Sequence, residues 1–335
     1  MYTFCFCDKR FHLFLLGHYF SALRFLFTYQ VSGLVGANIL GIAALSAIVF
    51  FSKAPPNTVD GLLHIGISRF TAGILFVLFS VVAANVFTTL TANLKLFSQR
   101  NYLILLVYCW LTCGLWQMGA DFLDMGVTLA LIIVLGYAWS RPGDKLSKSG
   151  AFDAGFISGL FFPFTSAVLF TPILLWVREV LDGVRITGIL LPVFGMISSI
   201  FIGWSVCFLL DVNMPSAIYR QPILSKVSID LPHFHLGMVP MGLLFLLSIP
   251  GFISYYTSVV LRVRNAFNIL FLSFIITLIF SAIFPLIIPV FYGLALLSYA
   301  VIVTEGILQV RIPGLKLVYL LLILVTVPVL MLLYP

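Results

Sequence analysis

Along most of this chain the apolar positions run on without a break for about 20 residues at a time, separated by short polar gaps. A helix rises 1.5 Å per residue, so about 20 apolar residues cross the roughly 30 Å hydrocarbon core of a bilayer. Backbone groups in hydrocarbon must bond within their own segment or in a closed barrel, and continuous runs rather than period-2 alternation select helices. The runs predict spans near Val31–Phe51, Thr71–Leu90, Tyr102–Leu115, Phe122–Trp139, Ile186–Leu210, Leu236–Val259, Ala266–Phe280, Pro285–Val303 and Val318–Leu333. A further region of about 27 residues, Ala151–Val177, contains Pro163 and Pro172. It reads either as one long kinked span or as a hairpin of two short segments.

Composition excludes an ordinary soluble domain. Of 335 residues 62% are hydrophobic and only 9% are charged, against about a quarter charged in soluble chains. The 18 Lys and Arg fall in every second gap: Lys9, Arg10, Arg24; Lys95, Arg100; Arg141, Lys145, Lys148; Arg178, Arg185; Arg262, Arg264; and Arg311, Lys316 account for 14 of them. Basic residues are retained in the cytoplasm, so these gaps face inward, and the gaps with Lys53, Arg69, Arg220 and Lys226 face outward. The gaps on both sides of Ala151–Val177 are basic, which requires that region to cross an even number of times or to re-enter. The expected fold is therefore all-α. It is a polytopic transmembrane helical bundle of about 11 crossings, or nine plus a re-entrant hairpin at 151–177, with the N-terminus cytoplasmic and the C-terminus outside.

The net charge of +7 is spread over these gaps and forms no block dense enough to track the phosphates of nucleic acid. Residues 1–30 carry aromatics with interspersed His12, His18 and Arg24 and no signal-cleavage pattern. They read as a cytoplasmic or interfacial segment preceding a single transmembrane domain at 31–335. Of the five cysteines, Cys109, Cys113 and Cys207 lie in apolar runs, where a thiol behaves as a small hydrophobe. Gly33, Ala37 and Gly41, like Ala151, Gly155 and Gly159, recur at the four-residue spacing that lets helix backbones approach closely. Asn38 and Asn85, the polar groups nearest mid-span, suit hydrogen bonds between helices.

Outward-facing chemistry has two loops to occupy, Ser52–Phe70 and Asp211–His235. Asp60 and His64 stand four residues apart, on one face if that stretch is helical, where a carboxylate can act as a general base beside an imidazole. In the second loop, Arg220 and Lys226 can grip a diphosphate. Asp230, His233 and His235 offer a carboxylate and two imidazoles to a divalent cation. The plainer alternatives are a solvated loop pair and interfacial anchoring. No cofactor is identified. Asp153 lies about two residues from a basic loop and is expected to snorkel or pair with Lys148. No buried acid is expected mid-span elsewhere, which argues against a proton-coupled transporter. Phosphate-cradling loops, nucleophile elbows and Cys/His zinc patterns are not present in the sequence.

Leu96-Phe-Ser-Gln-Arg-Asn-Tyr-Leu103, together with Phe152-Asp-Ala-Gly-Phe-Ile-Ser-Gly-Leu160 running on to Pro172, resembles a domain-of-unknown-function family of polytopic Bacteroidota inner-membrane proteins, over Val31 to Leu210. That resemblance implies a bacterial inner (cytoplasmic) membrane and supplies no catalytic residue. The Ala151–Val177 stretch also looks like the short-helix pair of GT-C-type membrane glycosyltransferases, which use polyprenyl-phosphate-linked sugars and place a catalytic acid in the first outer loop. Asp60 takes that position here, without the second adjacent acid that many such enzymes carry. Three functions stay open: an accessory or scaffold component of cell-envelope assembly, with membrane lipids and other envelope proteins as partners; a GT-C-like transferase or glycan polymerase acting on a lipid-linked glycan; and a lipid or glycan flippase, for which no polar route is legible.

Overall fold

The computed structural model describes residues 31–51, 69–97, 102–117, 122–139, 148–160, 162, 171–182, 186–209, 238–283, 288–310 and 318–319. The N-terminal segment 1–30 and all but the start of the predicted span Val318–Leu333 lie outside them. The described residues form ten helices and no strand: α1 (Val31–Phe51), α2 (Arg69–Asn93), α3 (Leu103–Gln117), α4 (Phe122–Trp139), α5 (Lys148–Leu160), α6 (Thr171–Asp182), α7 (Ile186–Leu209), α8 (Met238–Ser258), α9 (Leu261–Ile283) and α10 (Ile288–Gln309).

The apolar runs predicted where helices exist better than where they stop. The chain from Ala266 to Phe280 is apolar, yet α9 begins at Leu261 and takes Arg264 into its first turn, with the amides of Val263 and Arg264 both donating to Val260 O at 3.0 and 3.1 Å. Likewise α10 runs past Val303 to include Glu305, and α6 runs past Val177 to include Arg178 and Glu179. Once a helix is nucleated each added residue gains a hydrogen bond, so helices continue beyond the apolar stretch.

Among the described residues, the proline-containing region holds two helices, Lys148–Leu160 and Thr171–Asp182. α5 has 13 residues and α6 has 12, which gives lengths of about 20 and 18 Å. Pro172 is the second residue of α6, in the first turn, where a helix has no use for its N–H.

The core lies around α3 and α10, which pack on each other. α3 also touches α1 and α2, and α10 also touches α4, α8 and α9. Nearly every side chain of α3 is buried, as expected of a helix apolar on all sides. Phe76 of α2 packs on Trp116 with ring centroids 4.8 Å apart, and Phe87 packs on Tyr108 at 5.9 Å.

Small residues set the closest crossings. Along α5 and α7, the most extensive pairing, a Cβ added to Gly155 would overlap the Pro192 carbonyl oxygen. One at Gly159 would sit 2.7 Å from Met196 O, and one at Gly195 would overlap the Phe152 carbonyl. At the α1–α3 contact a Cβ on Gly41 would come 3.0 Å from Cys109 Sγ, and Ala37 is buried. The expectation that Gly41, Gly155 and Gly159 serve packing inside the bundle therefore holds, with α8 and α10 supplying a third such seam at Gly251 and Gly306.

Helix α2 ends in a Schellman turn. Leu96 N donates to Thr91 O and Lys95 N to Ala92 O, each at 3.1 Å, while Lys95 takes the left-handed conformation at φ 53°. Leu96 is wholly buried, the apolar contact that accompanies such a cap.

The outer surface is apolar where a water-soluble fold would be polar. Ile186, Leu190, Phe194, Ile197, Phe201 and Phe208 form an exposed stripe along α7, at the spacing of one helical face. Among the described residues, two helical segments are long and apolar enough to cross a membrane, Phe70–Asn93 with 24 residues and mean hydropathy 2.2, and Ile186–Val206 with 21 residues and mean hydropathy 2.0. They point to membrane association.

Candidate functional site: polar groups inside the bundle

An apolar bundle positions its polar side chains by hydrogen-bonding them internally. Asn38 of α1 and Asn85 of α2 do this reciprocally. Asn85 Nδ2 donates to Asn38 Oδ1 at 2.7 Å, Asn38 Nδ2 donates to Asn85 Oδ1 at 3.3 Å, and each amide also donates to the carbonyl four residues back, Leu34 O and Val81 O. The expected interhelical bond is therefore present and tied at both ends. Thr88 and Ser248 bond within their own helices, to Ala84 O and Leu244 O, both at 2.7 Å, whereas the buried hydroxyls of Ser80, Ser199 and Thr304 have no partner among the described residues.

Ionisable groups were the greater surprise. Arg178 is only 1% exposed and Glu179 7% exposed, both on α6, although Arg178 was expected in a solvated cytoplasmic gap. Glu179 is held against Gly188 of α7, because only a glycine there leaves room for its carboxylate. Trp176 Nε1 donates to Ile189 O at 2.9 Å and closes the same corner. Glu305 of α10 is 0% exposed; it stands near the helix end, beyond the predicted span Pro285–Val303, and is a buried acid that the apolar runs did not announce. Its carboxylate accepts from Gln309 Nε2 one turn on, and Tyr255 of α8 lies close enough to feel its charge. Asp153, the acid that had been expected within a span, is exposed on α5.

Register contacts place the polar ends of α8, α9 and α10 together. Ser298 Oγ of α10 donates to Leu270 O of α9 at 3.0 Å, Tyr256 of α8 donates to Asn268 Oδ1 of α9 at 2.7 Å, and Gly251 of α8 meets Gly306 of α10. Tyr256 and Arg264 thus stand at the turn between α8 and α9, while Glu305 lies enclosed beside the α8–α10 crossing. Polar groups inside an apolar scaffold restrict how the helices dock.

The residues singled out for outward chemistry, Asp60, His64, Arg220, Lys226, Asp230, His233 and His235, all lie outside the described residues. Among the described residues no group of three His, Cys, Asp or Glu side chains converges on a point where a metal ion fits. Sequence reasoning missed Glu179 and Glu305 because each stands just beyond an apolar run. The available signal was a lone acid within four residues of a run's end, carried into the bundle by helix continuation. Comparison with family models, with curated proteins and with solved structures gives no match.

Proposed function

We propose that this chain is a multi-pass integral protein of a bacterial inner membrane that serves as an accessory or scaffold component in cell-envelope assembly. The observation that carries this reading is the inverted distribution of polarity. Carboxyl and amide side chains such as Glu305 and the Asn38–Asn85 pair are inside, while the outward stripe of α7 is bare leucine, isoleucine and phenylalanine. A surface of that kind is stable against acyl chains and unstable against water. Helices α1, α8, α9 and α10, of 21 to 23 residues, match a hydrocarbon core of roughly 30 Å. At about 20 Å and 18 Å, α5 and α6 are the two shortest of the ten described helices, which favours a re-entrant pair beside nine crossings over eleven.

A reporter active only outside the cytoplasm tests the topology: fused after Leu224 it is active, and fused after Ser147 it is silent. The opposite pattern would overturn the orientation. Photocrosslinkers at Phe194 and Phe201 test the membrane reading, which predicts adducts with lipid; labelling of these positions by water-soluble reagents alone would refute it.

A second reading, a GT-C-like transferase with Asp60 as base and Arg220 and Lys226 neutralising a diphosphate leaving group, is favoured by one observation. Residues 148–160 and 171–182 form two short helices, the pair that the resemblance to those enzymes implies.

A further inference from the structure

We propose that the turn between α8 and α9 is a binding site for anionic phospholipid, with Arg264 holding the headgroup phosphate and Val260 and Leu261 meeting the acyl chains. The inference rests on the membrane reading above.

Only Val259 and Val260 link the two helices, a turn too short to fold back over its own tip. Val260 is 68% and Leu261 70% exposed, so two branched apolar side chains stand side by side at the end of the hairpin. Arg264 is fixed beneath them. Its Nη2 donates to Thr257 O at 3.1 Å and to Val259 O at 3.5 Å, carbonyls at the end of α8 that lack amide partners. Its guanidinium carbon lies 5.5 Å from the centroid of the Tyr256 ring, within cation–π range. Tyr256 is anchored in turn to Asn268.

The guanidinium is thus held by both helices while its charge stays unbalanced. Among the described residues its partners are two carbonyls and a ring, with no carboxylate, and Nε has no acceptor. An immobilised arginine loses little further side-chain entropy when an anion binds, and with Nη2 engaged and Nε enclosed it offers a phosphate a single charge-assisted contact rather than a bidentate fork. Arg262 adds a second positive charge to the same turn. A free phosphate would satisfy the charge and leave Val260 and Leu261 in water. A phospholipid satisfies both, with its phosphate at the basic residue and its chains against the apolar tip.

The test uses the full chain purified in neutral detergent. It is titrated with dioleoylphosphatidylglycerol, dioleoylphosphatidylcholine or inorganic phosphate alone, and lipid retention is read by native mass spectrometry and thermal stability. Phosphatidylglycerol is expected to bind about tenfold more tightly than phosphatidylcholine, the lower end for one charge-assisted hydrogen bond. Arg264→Gln should erase that preference and Arg264→Lys should keep part of it, while Val260→Ser/Leu261→Ser should weaken both lipids. Equal binding of the two lipids would overturn the proposal, as would a preference that survives Arg264→Gln. Protection by inorganic phosphate equal to that by phosphatidylglycerol would reassign the site to a free anion. If Arg264→Gln does not fold, unchanged phosphatidylglycerol affinity in the serine double variant overturns the proposal on its own. Failure of the membrane reading is distinguished by alkaline carbonate, which would release the chain from membranes in that case only.

Discussion

Replacing Gly155 by alanine tests whether the α5–α7 seam is set by backbone contact. The added Cβ would overlap the carbonyl oxygen of Pro192, and its neighbour along the seam, Gly159, has room only for a Cβ at 2.7 Å from Met196 O. Carbon ordinarily approaches a carbonyl oxygen no closer than about 3.3 Å, so the helices must part by more than about 1 Å at this crossing. The obstructing atoms are backbone, and no rotamer change can relieve them. Parting also loosens Gly195 from the Phe152 carbonyl, so the penalty belongs at the upper end of overpacking, about 3 kcal/mol. Gly203→Ala on the exposed side of α7 is the control, because its Cβ would meet nothing within 4 Å and alanine favours helix by up to about 1 kcal/mol. Thermal or denaturant unfolding in lipid nanodiscs, followed by tryptophan fluorescence, should therefore separate the two variants by about 3–4 kcal/mol in opposite directions. Equal stability of the two would refute close backbone packing at this seam.

A double-mutant cycle on Asn38→Ala and Asn85→Ala should return a coupling of about 0.6 to 1.7 kcal/mol, the range for hydrogen bonds between membrane helices; a coupling of zero would mean that the amides find other partners equally well. Lys95→Gly should stabilise the end of α2 by about 1 kcal/mol, because glycine enters the left-handed conformation without the steric penalty lysine carries, and a loss of stability on unfolding would contradict the cap. Under the accessory reading Asp60→Asn leaves the pool of lipid-linked glycan precursor at its wild-type level, whereas accumulation of precursor would move the assignment to the transferase.

The apolar runs matched α1 and α4 to the residue and α7 to within one, because burial in a uniform solvent needs only hydrophobicity over a length. They could not say which face of each helix met protein and which met the exterior, since lipid tails and leucine side chains are equally apolar. Asn38 and Asn85 were legible as a bonded pair because unpaired amides in an apolar medium are costly. Arg178 and Glu305 were not, because a charge at the end of a run looks the same whether the helix stops there or continues inward.

By its own order of residues the chain determined the helical class and the small-residue positions where helices can touch. Each of these follows from local chemistry acting on a segment at a time. Only the tertiary structure decided that α3 and α10 form the centre, that the proline-containing region holds two short helices, and that Arg178, Glu179 and Glu305 are enclosed. Enclosure depends on what neighbouring helices bring to the same place, and that is a property of packing.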